Sequence, residues 1–280
     1  MAENGSPVPI ARRAATGGRR APTRSPPPPL GADCALFLDI DGTLLELAPT
    51  PEGVRVDAGI AALLPALARR LGGAVALVTG RAMADADRLF RGLSLPIAGL
   101  HGLERRSADG SLHRHLPSLS ALDRLRGVLS QFAARHDGLF LEDKGATLAL
   151  HYRQAPRLAS LVHRTLRAHM TAALAFESGW RLQPGKSILE IKPDGRDKGT
   201  AILEYLTEPP FAGRLPVFVG DDHTDEFGFD AVTIAGGWAV KVGRGTTNAQ
   251  YRLPNVAAVR RWLAAAVPPN TFHKGTDHAS

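Results

Sequence analysis

The sequence predicts an α/β fold: a parallel sheet covered by helices on both faces, interrupted by an inserted α/β unit with an antiparallel sheet. Three observations predict it. Near both ends of the chain, short apolar runs alternate with helix-length amphipathic stretches. In the middle of the chain the rhythm changes, and pairs of strand-like segments follow each helix-like one. Finally, three of the apolar runs end in residues that carry chemistry rather than in plain turns.

Taken in order, Ala35-Leu36-Phe37-Leu38 opens a buried strand over 35–39, followed by a helix over 57–71, a strand over 74–78, a helix over 83–91 and a strand over 96–99. The middle segment predicts a helix over 119–135, strands over 139–142 and 147–153, a helix over 156–171, then strands over 174–178 and 187–192. Alternation resumes with helices over 199–206 and 256–266 and strands over 215–219, 232–235 and 239–242. The expected division is a core formed by 33–105 and 194–267, an insertion over 106–193, and two tails, 1–32 and 268–280.

The tails bound what the charge means. Residues 1–30 carry five arginines (Arg12, Arg13, Arg19, Arg20, Arg24) against Glu3, a net +4 out of the chain's +7, and end in Pro26-Pro27-Pro28-Pro29. With little apolar surface to offset ordering entropy, this tail is expected to be disordered and dispensable for folding. Its arginines lack aromatic neighbours for base stacking, which argues against nucleic acid as a partner. No apolar run approaches a membrane span, and none follows either Arg-Arg pair as an export signal requires. The lone Cys34 excludes an intramolecular disulfide and suits a reducing compartment, so a cytoplasmic monomer is expected.

Chemistry concentrates at strand ends, where open α/β sheets bind ligands. Asp39-Ile40-Asp41-Gly42-Thr43-Leu44 sets two carboxylates two residues apart, and Gly42 lets the backbone leave the pleat so that both converge on one point. Val75-Ala76-Leu77-Val78 runs into Thr79-Gly80-Arg81. Lys198 stands in Gly195-Arg196-Asp197-Lys198-Gly199 before a helix, and Pro216-Val217-Phe218-Val219 delivers Gly220-Asp221-Asp222-His223-Thr224-Asp225-Glu226.

These four segments, in this order, resemble the motifs of the haloacid dehalogenase-like phosphatases, whose fold is a Rossmann-like core with an inserted cap. The Gly-Asp-Asp-X-Thr-Asp-Glu form is similar to that of the trehalose-6-phosphate phosphatases. The resemblance spans about 33–265. It implies a phosphatase that converts trehalose 6-phosphate to trehalose and phosphate. Related cap-bearing enzymes act on sucrose phosphate, mannosylglycerate phosphate and hexose phosphates. A body that only senses a ligand is the other alternative, although such a relic is expected to lack Asp39 or Asp41.

On this reading Asp39 is the nucleophile that forms an aspartyl phosphate, and Asp41 is the acid/base, protonated at the moment of attack. Thr79 offers a hydroxyl and a backbone N–H to the phosphate and Lys198 a compact positive charge, with Gly80 and Arg81 among the substrate contacts. So many carboxylates around one phosphate call for a hard, oxygen-ligated cation, Mg²⁺, on Asp39, the Asp41 carbonyl and Asp221. Asp222 either orients the metal's surroundings or ligates it directly. Asp225 either orients Lys198 or serves as a helix N-terminal acid.

Substrate choice is expected in the insertion. There Glu142, Lys144 and Glu190 match the positions that hold glucose hydroxyls in the resembled family, and His151 and Arg153 share a face of the strand over 147–153. Gly99-Leu100-His101-Gly102-Leu103-Glu104 is similar to that family's segment at the crossover from core to cap. His101 and Glu104 either line the cleft there or brace it.

Overall fold

Every side chain of Cys34–Leu38 is apolar, and a strand of that kind is stable only with both faces covered. The computed structural model, which describes residues 25–48, 50, 53–115, 120–173 and 179–268, shows how this is done. The core strands are β1 (Cys34–Leu38), β2 (Val75–Val78), β3 (Ile97–Gly99), β4 (Glu104–Arg106) and β5 (Leu112–Arg114). The insertion carries β6 (Phe140–Asp143), β7 (Leu148–His151), β8 (Trp180–Gly185) and β9 (Ile188–Pro193). The core then resumes with β10 (Leu215–Gly220), β11 (Trp238–Val242) and β12 (Tyr251–Leu253).

The core sheet has the order β12-β11-β10-β1-β2-β3-β4-β5. It is parallel from β12 to β3, and β4 and β5 are antiparallel additions. One face, with Leu36, Leu38, Leu77 and Val219, packs against helices α1 (Ala58–Arg70), α2 (Met83–Leu89) and α7 (Val256–Ala265). The other face, with Phe37, Ala76 and Phe218, packs against α5 (Lys198–Tyr205) and α6 (Glu226–Ile234). Burying apolar side chains on both faces at about 25 cal/mol per Å² supplies the main stabilisation of this layer.

In the insertion a four-stranded antiparallel sheet, β6-β7-β9-β8, lays Leu148, Leu150, Leu189 and Ile191 on helices α3 (Ser120–Ala134) and α4 (Ala159–Ala173). Period-two alternation turns Glu142, Ala149, Glu190 and Gln183 to the opposite face. They form one cross-strand row, and three of them line the cleft above the core strands' carboxyl ends.

Four expectations need correction. Residues 232–235 are not a strand but fall at the end of α6, because Phe229 and Val232 share the helical stripe that packs on the sheet. Residues 106–114, expected in the insertion, pair with β3 through β4 and extend the core sheet. Of the tail over 1–32, the described part packs: Leu30 is 5% exposed, Trp262 Nε1 donates to the Pro28 carbonyl at 3.0 Å, and Arg252 N–H donates to the Ser25 carbonyl. Prolines hold such a segment extended at little entropic cost. Lastly, the strand over 147–153 ends at His151, leaving Arg153 in the turn beyond it. Residues 1–24, the strand expected over 174–178, and the tail from 269 lie outside the described residues.

Candidate active site

Asp39 follows β1 directly, and its N–H still bonds the Val219 carbonyl at 3.0 Å, so the carboxylate leaves the sheet in a fixed direction. Thr43 Oγ1 donates to Asp39 Oδ2 at 3.2 Å. Lys198, the first residue of α5, is 3% exposed and donates to Asp39 Oδ1 at 2.7 Å and Asp225 Oδ1 at 2.6 Å. A capping box at Asp197 and Thr200 fixes that helix start. Gly42 has φ +81°, and a Cβ there would lie 2.4 Å from Asp221 Oδ2. Only glycine lets the Asp221 carboxylate approach the backbone beside Asp41 this closely.

Oxygens of Asp39, Asp221 and Asp225 lie within 4.8 Å of one another. Burial pushes Asp39 well above the ordinary carboxylate range against the pull of Lys198, and Asp225 and Asp221 add to the rise. Burial, with Asp225 and Asp222 beside it, raises Asp221 to about 7. Burial opposes the Lys198 charge, but Asp225 and Asp39 outweigh it and hold its pKa above the ordinary value. This is a nearly dry nest of carboxylates with the Lys198 ammonium inside it and Lys241 on the loop carbonyls beside it. An all-oxygen donor set of this kind fits a hard divalent ion.

Asp225 has both oxygens engaged, one by Lys198 and the other by the Asp222 N–H at 2.8 Å. It therefore orients Lys198 and caps the turn before α6 at the same time, the two roles weighed as alternatives from sequence. Asp222 lines the cleft.

Thr79's own N–H is bonded to the Ala98 carbonyl at 2.8 Å, so the backbone donor expected of it is committed to the sheet. Its hydroxyl accepts from the Arg81 N–H at 3.1 Å and keeps a proton to donate. Gly80 and Arg81 line the same cleft, and Arg81 pairs with Asp41.

Above this floor stand the insertion's polar groups, closing a cleft of about 420 Å³. Lys144 Nζ donates to the Gly80 carbonyl at 3.0 Å and to Glu190 Oε1 at 3.3 Å, joining insertion to core. Thr147 Oγ1 donates to Glu190 Oε1 at 2.7 Å, and His101 Nε2 meets Glu190 Oε2 at 3.0 Å. His151 Nε2 lies 2.8 Å from Glu142 Oε2. Burial opposes ionisation of Glu190, yet Lys144 and His101 outweigh it and hold its pKa well below the usual range. Lys144 is likewise held above its ordinary value by Glu190 and Glu142 against burial. Arg153 reaches across the cleft to the Ala48 carbonyl at 3.3 Å. His101 lines the cleft, whereas Glu104 accepts from the Met83 N–H at the start of α2 and braces the core.

Sequence reading missed Gln183, which lies opposite Glu190 and is 7% exposed, and Lys241, 4% exposed, whose Nζ donates to the Asp221 and Asp222 carbonyls. Cross-strand register was the signal for Gln183. Lys241 carried the weaker signal of a charge inside an otherwise apolar strand, Trp238–Val242.

The fold is of the haloacid dehalogenase-like class. The fold is similar to that of a haloacid dehalogenase-like hydrolase from B. subtilis, with a TM-score of 0.56 at 15% identity over 82% of this chain and 99% of that one. More narrowly, the sequence model of the trehalose-phosphatase family matches residues 37–257, and the chain belongs to that family of phosphatases. It is 45% identical to the Escherichia coli trehalose-6-phosphate phosphatase over 84% of this chain and 87% of that protein. The fold is also similar to that of the C. albicans trehalose-6-phosphate phosphatase C-terminal domain, with a TM-score of 0.74 at 18% identity over 84% of this chain and 91% of that one.

Proposed function

We propose that this enzyme hydrolyses trehalose 6-phosphate to trehalose and inorganic phosphate, acting as a cytoplasmic monomer without nucleic-acid or membrane partners. The observation that carries the reading is the division of one cleft into two chemistries. Its floor offers a nucleophile, an ammonium and a hydroxyl to a phosphate, while its roof offers Glu142, Lys144 and Glu190 to a polyol.

Asp39 attacks phosphorus, and the bond to the sugar oxygen breaks as Asp41 gives that oxygen its proton. The products of this step are trehalose and an aspartyl phosphate. Water then attacks phosphorus, Asp41 takes the water's proton, and the Asp39–phosphorus bond breaks to release phosphate. Lys198 and Thr79 hold the phosphate oxygens, and Asp225 and Thr43 keep Lys198 and Asp39 in place. Asp39, the Asp41 carbonyl and Asp221 would hold Mg²⁺, which supplies charge neutralisation for the phosphoryl group when bound. Asp222 orients the ion's surroundings, and Lys241 tethers the acidic loop through its carbonyls. Glu142, Lys144 and Glu190 grip the glucose remote from the phosphate, with His151 orienting Glu142 and Arg153 fastening the roof to the floor.

Phosphate release from trehalose 6-phosphate, sucrose 6-phosphate and glucose 6-phosphate, with Mg²⁺ and with chelator, tests this. Trehalose 6-phosphate is expected to give the highest kcat/KM, only with Mg²⁺. Preference for another sugar phosphate would overturn the substrate assignment, and activity in chelator would overturn the metal.

A further inference from the structure

Residues Leu100, His101 and Gly102 all have positive φ, at 49°, 56° and 96°. Side-chain-bearing residues rarely hold this conformation, and two in succession persist only where their surroundings over-determine them. The surroundings here are the loop over 79–81. Leu100 N–H bonds the Arg81 carbonyl at 2.8 Å and His101 N–H bonds the Thr79 carbonyl at 3.0 Å. The imidazole packs on Gly80, where a Cβ would fall 2.7 Å from Cε1, so the glycine exists to admit the ring.

From that seat His101 reaches Glu190, 89 residues away in the insertion. Glu190 stays ionised, and burial drives His101 down to about 4, so the ring is neutral and its Nε2 carries the proton donated to Glu190 Oε2. Thr147 and Lys144 hold the other oxygen. Both oxygens of the carboxylate are thereby oriented, one of them by a residue anchored on the phosphate side of the cleft.

We infer that His101 is a positioning residue for sugar selectivity: its left-handed backbone seats it on the loop over 79–81, and its Nε2–H aims Glu190 at the sugar hydroxyls. The phosphate and sugar halves of the site are thus held in register. The inference rests on the reading of Glu190 as a hydroxyl-binding group. A merely structural residue at these dihedral angles would be better served by Asn or Gly, which adopt them at lower cost.

Two variants separate the roles. H101N suits the backbone but is too short to reach Glu190, whereas H101Q places an amide N–H near the Nε2 position. H101N is expected to melt no lower than the parent, while the ratio of kcat/KM on trehalose 6-phosphate to that on p-nitrophenyl phosphate falls about tenfold, with kcat falling along with affinity. H101Q is expected to recover most of that ratio. Equal losses on both substrates, or H101Q no better than H101N, would overturn the inference. E190Q separates the premise from the inference. If E190Q leaves the ratio unchanged, the reading of Glu190 as a hydroxyl-binding group fails. If E190Q lowers it and H101N does not, only the role of His101 fails.

Discussion

Arg81 grips both carboxylate oxygens of Asp41, Nε to Oδ2 and Nη2 to Oδ1, each at 2.6 Å. The bidentate fork fixes the rotamer of Asp41 as a proton acceptor, the form needed when water attacks, and Arg81 has to release one oxygen for Asp41 to carry the proton of the first step. The fork also brings a guanidinium to the edge of the phosphate floor. Lysine cannot reproduce that planar geometry. Arg81→Lys is therefore expected to lower kcat about tenfold or more on both sugar phosphate and p-nitrophenyl phosphate, as the loss of one strong charged pair predicts. Steady-state kinetics that match the parent would show that the pair is incidental.

Asp39→Asn is expected to leave no more than a few per cent of turnover, because an amide neither attacks phosphorus nor ligates a hard cation well. Asp41→Asn should also cripple turnover yet keep Mg²⁺ affinity, since only its carbonyl is assigned to the ion. Calorimetric titration of Mg²⁺ into Asp41→Asn and Asp221→Asn checks the division. Equal losses of affinity would mean that the Asp41 side chain ligates.

Asp221, raised to about 7 by burial and its acidic neighbours, makes stability depend on pH and metal together. Its folded pKa lies above the unfolded value near ~3.9, so the metal-free fold holds more protons than the unfolded chain, and stability is lost as pH rises through about 7. Mg²⁺ takes the place of the proton. The rise in melting temperature on adding saturating Mg²⁺ should be larger at pH 8 than at pH 6. An equal or reversed increment would place the ion away from Asp221.

For the roof, Glu142→Gln, Lys144→Met and Glu190→Gln should each lower the ratio of trehalose 6-phosphate to p-nitrophenyl phosphate turnover, by about 1.5–3 kcal/mol per lost charged hydrogen bond. Because remote binding energy helps closure, kcat should fall along with affinity. Glu190 pairs with buried Lys144, so deleting its carboxylate altogether would leave an uncompensated charge and confound folding with recognition. The amide variant also removes the charge but keeps the size and an accepting oxygen beside Lys144, which stays paired with Glu142 at 3.8 Å. A melting curve for each variant separates folding from recognition. A ratio unchanged in all three variants would refute a sugar-reading roof.

Truncation tests the packed part of the N-terminal segment. Removing residues 1–30 rather than 1–24 deletes buried Leu30, worth ~1.5–3 kcal/mol, together with the Pro28 carbonyl that Trp262 bonds. At ~2–4 °C per kcal/mol, the shorter chain should melt several degrees lower. Coincident melting curves would show that this packing contributes nothing.

Local chemistry was enough to read the floor of the site. Asp39 with Asp41, Thr79, Lys198 and the cluster from Asp221 each sit beside an apolar run or a helix start, and strand ends in a parallel sheet point one way. Topology then brings such residues together whatever the details of packing. The same logic recovered the layers, because a run such as Ala35-Leu36-Phe37-Leu38 has no stable place but a covered strand.

What local pattern could not supply was anything that depends on partners distant in the chain. Phe229 and Val232 belong to a helix only because their stripe meets the sheet, and residues 106–114 join the core only because Ile97–Gly99 offers an open edge. Gln183 became a wall of the cleft through its register with Glu190, and Lys241 a tether through carbonyls 19 and 20 residues away. The left-handed turn at His101 exists because the loop over 79–81 and Glu190 hold it from opposite sides. The sequence by itself determined the chemistry, since side-chain type and strand-end position are local properties. Only the tertiary structure decided its geometry, since register, burial and strain arise from contacts between segments far apart in the chain.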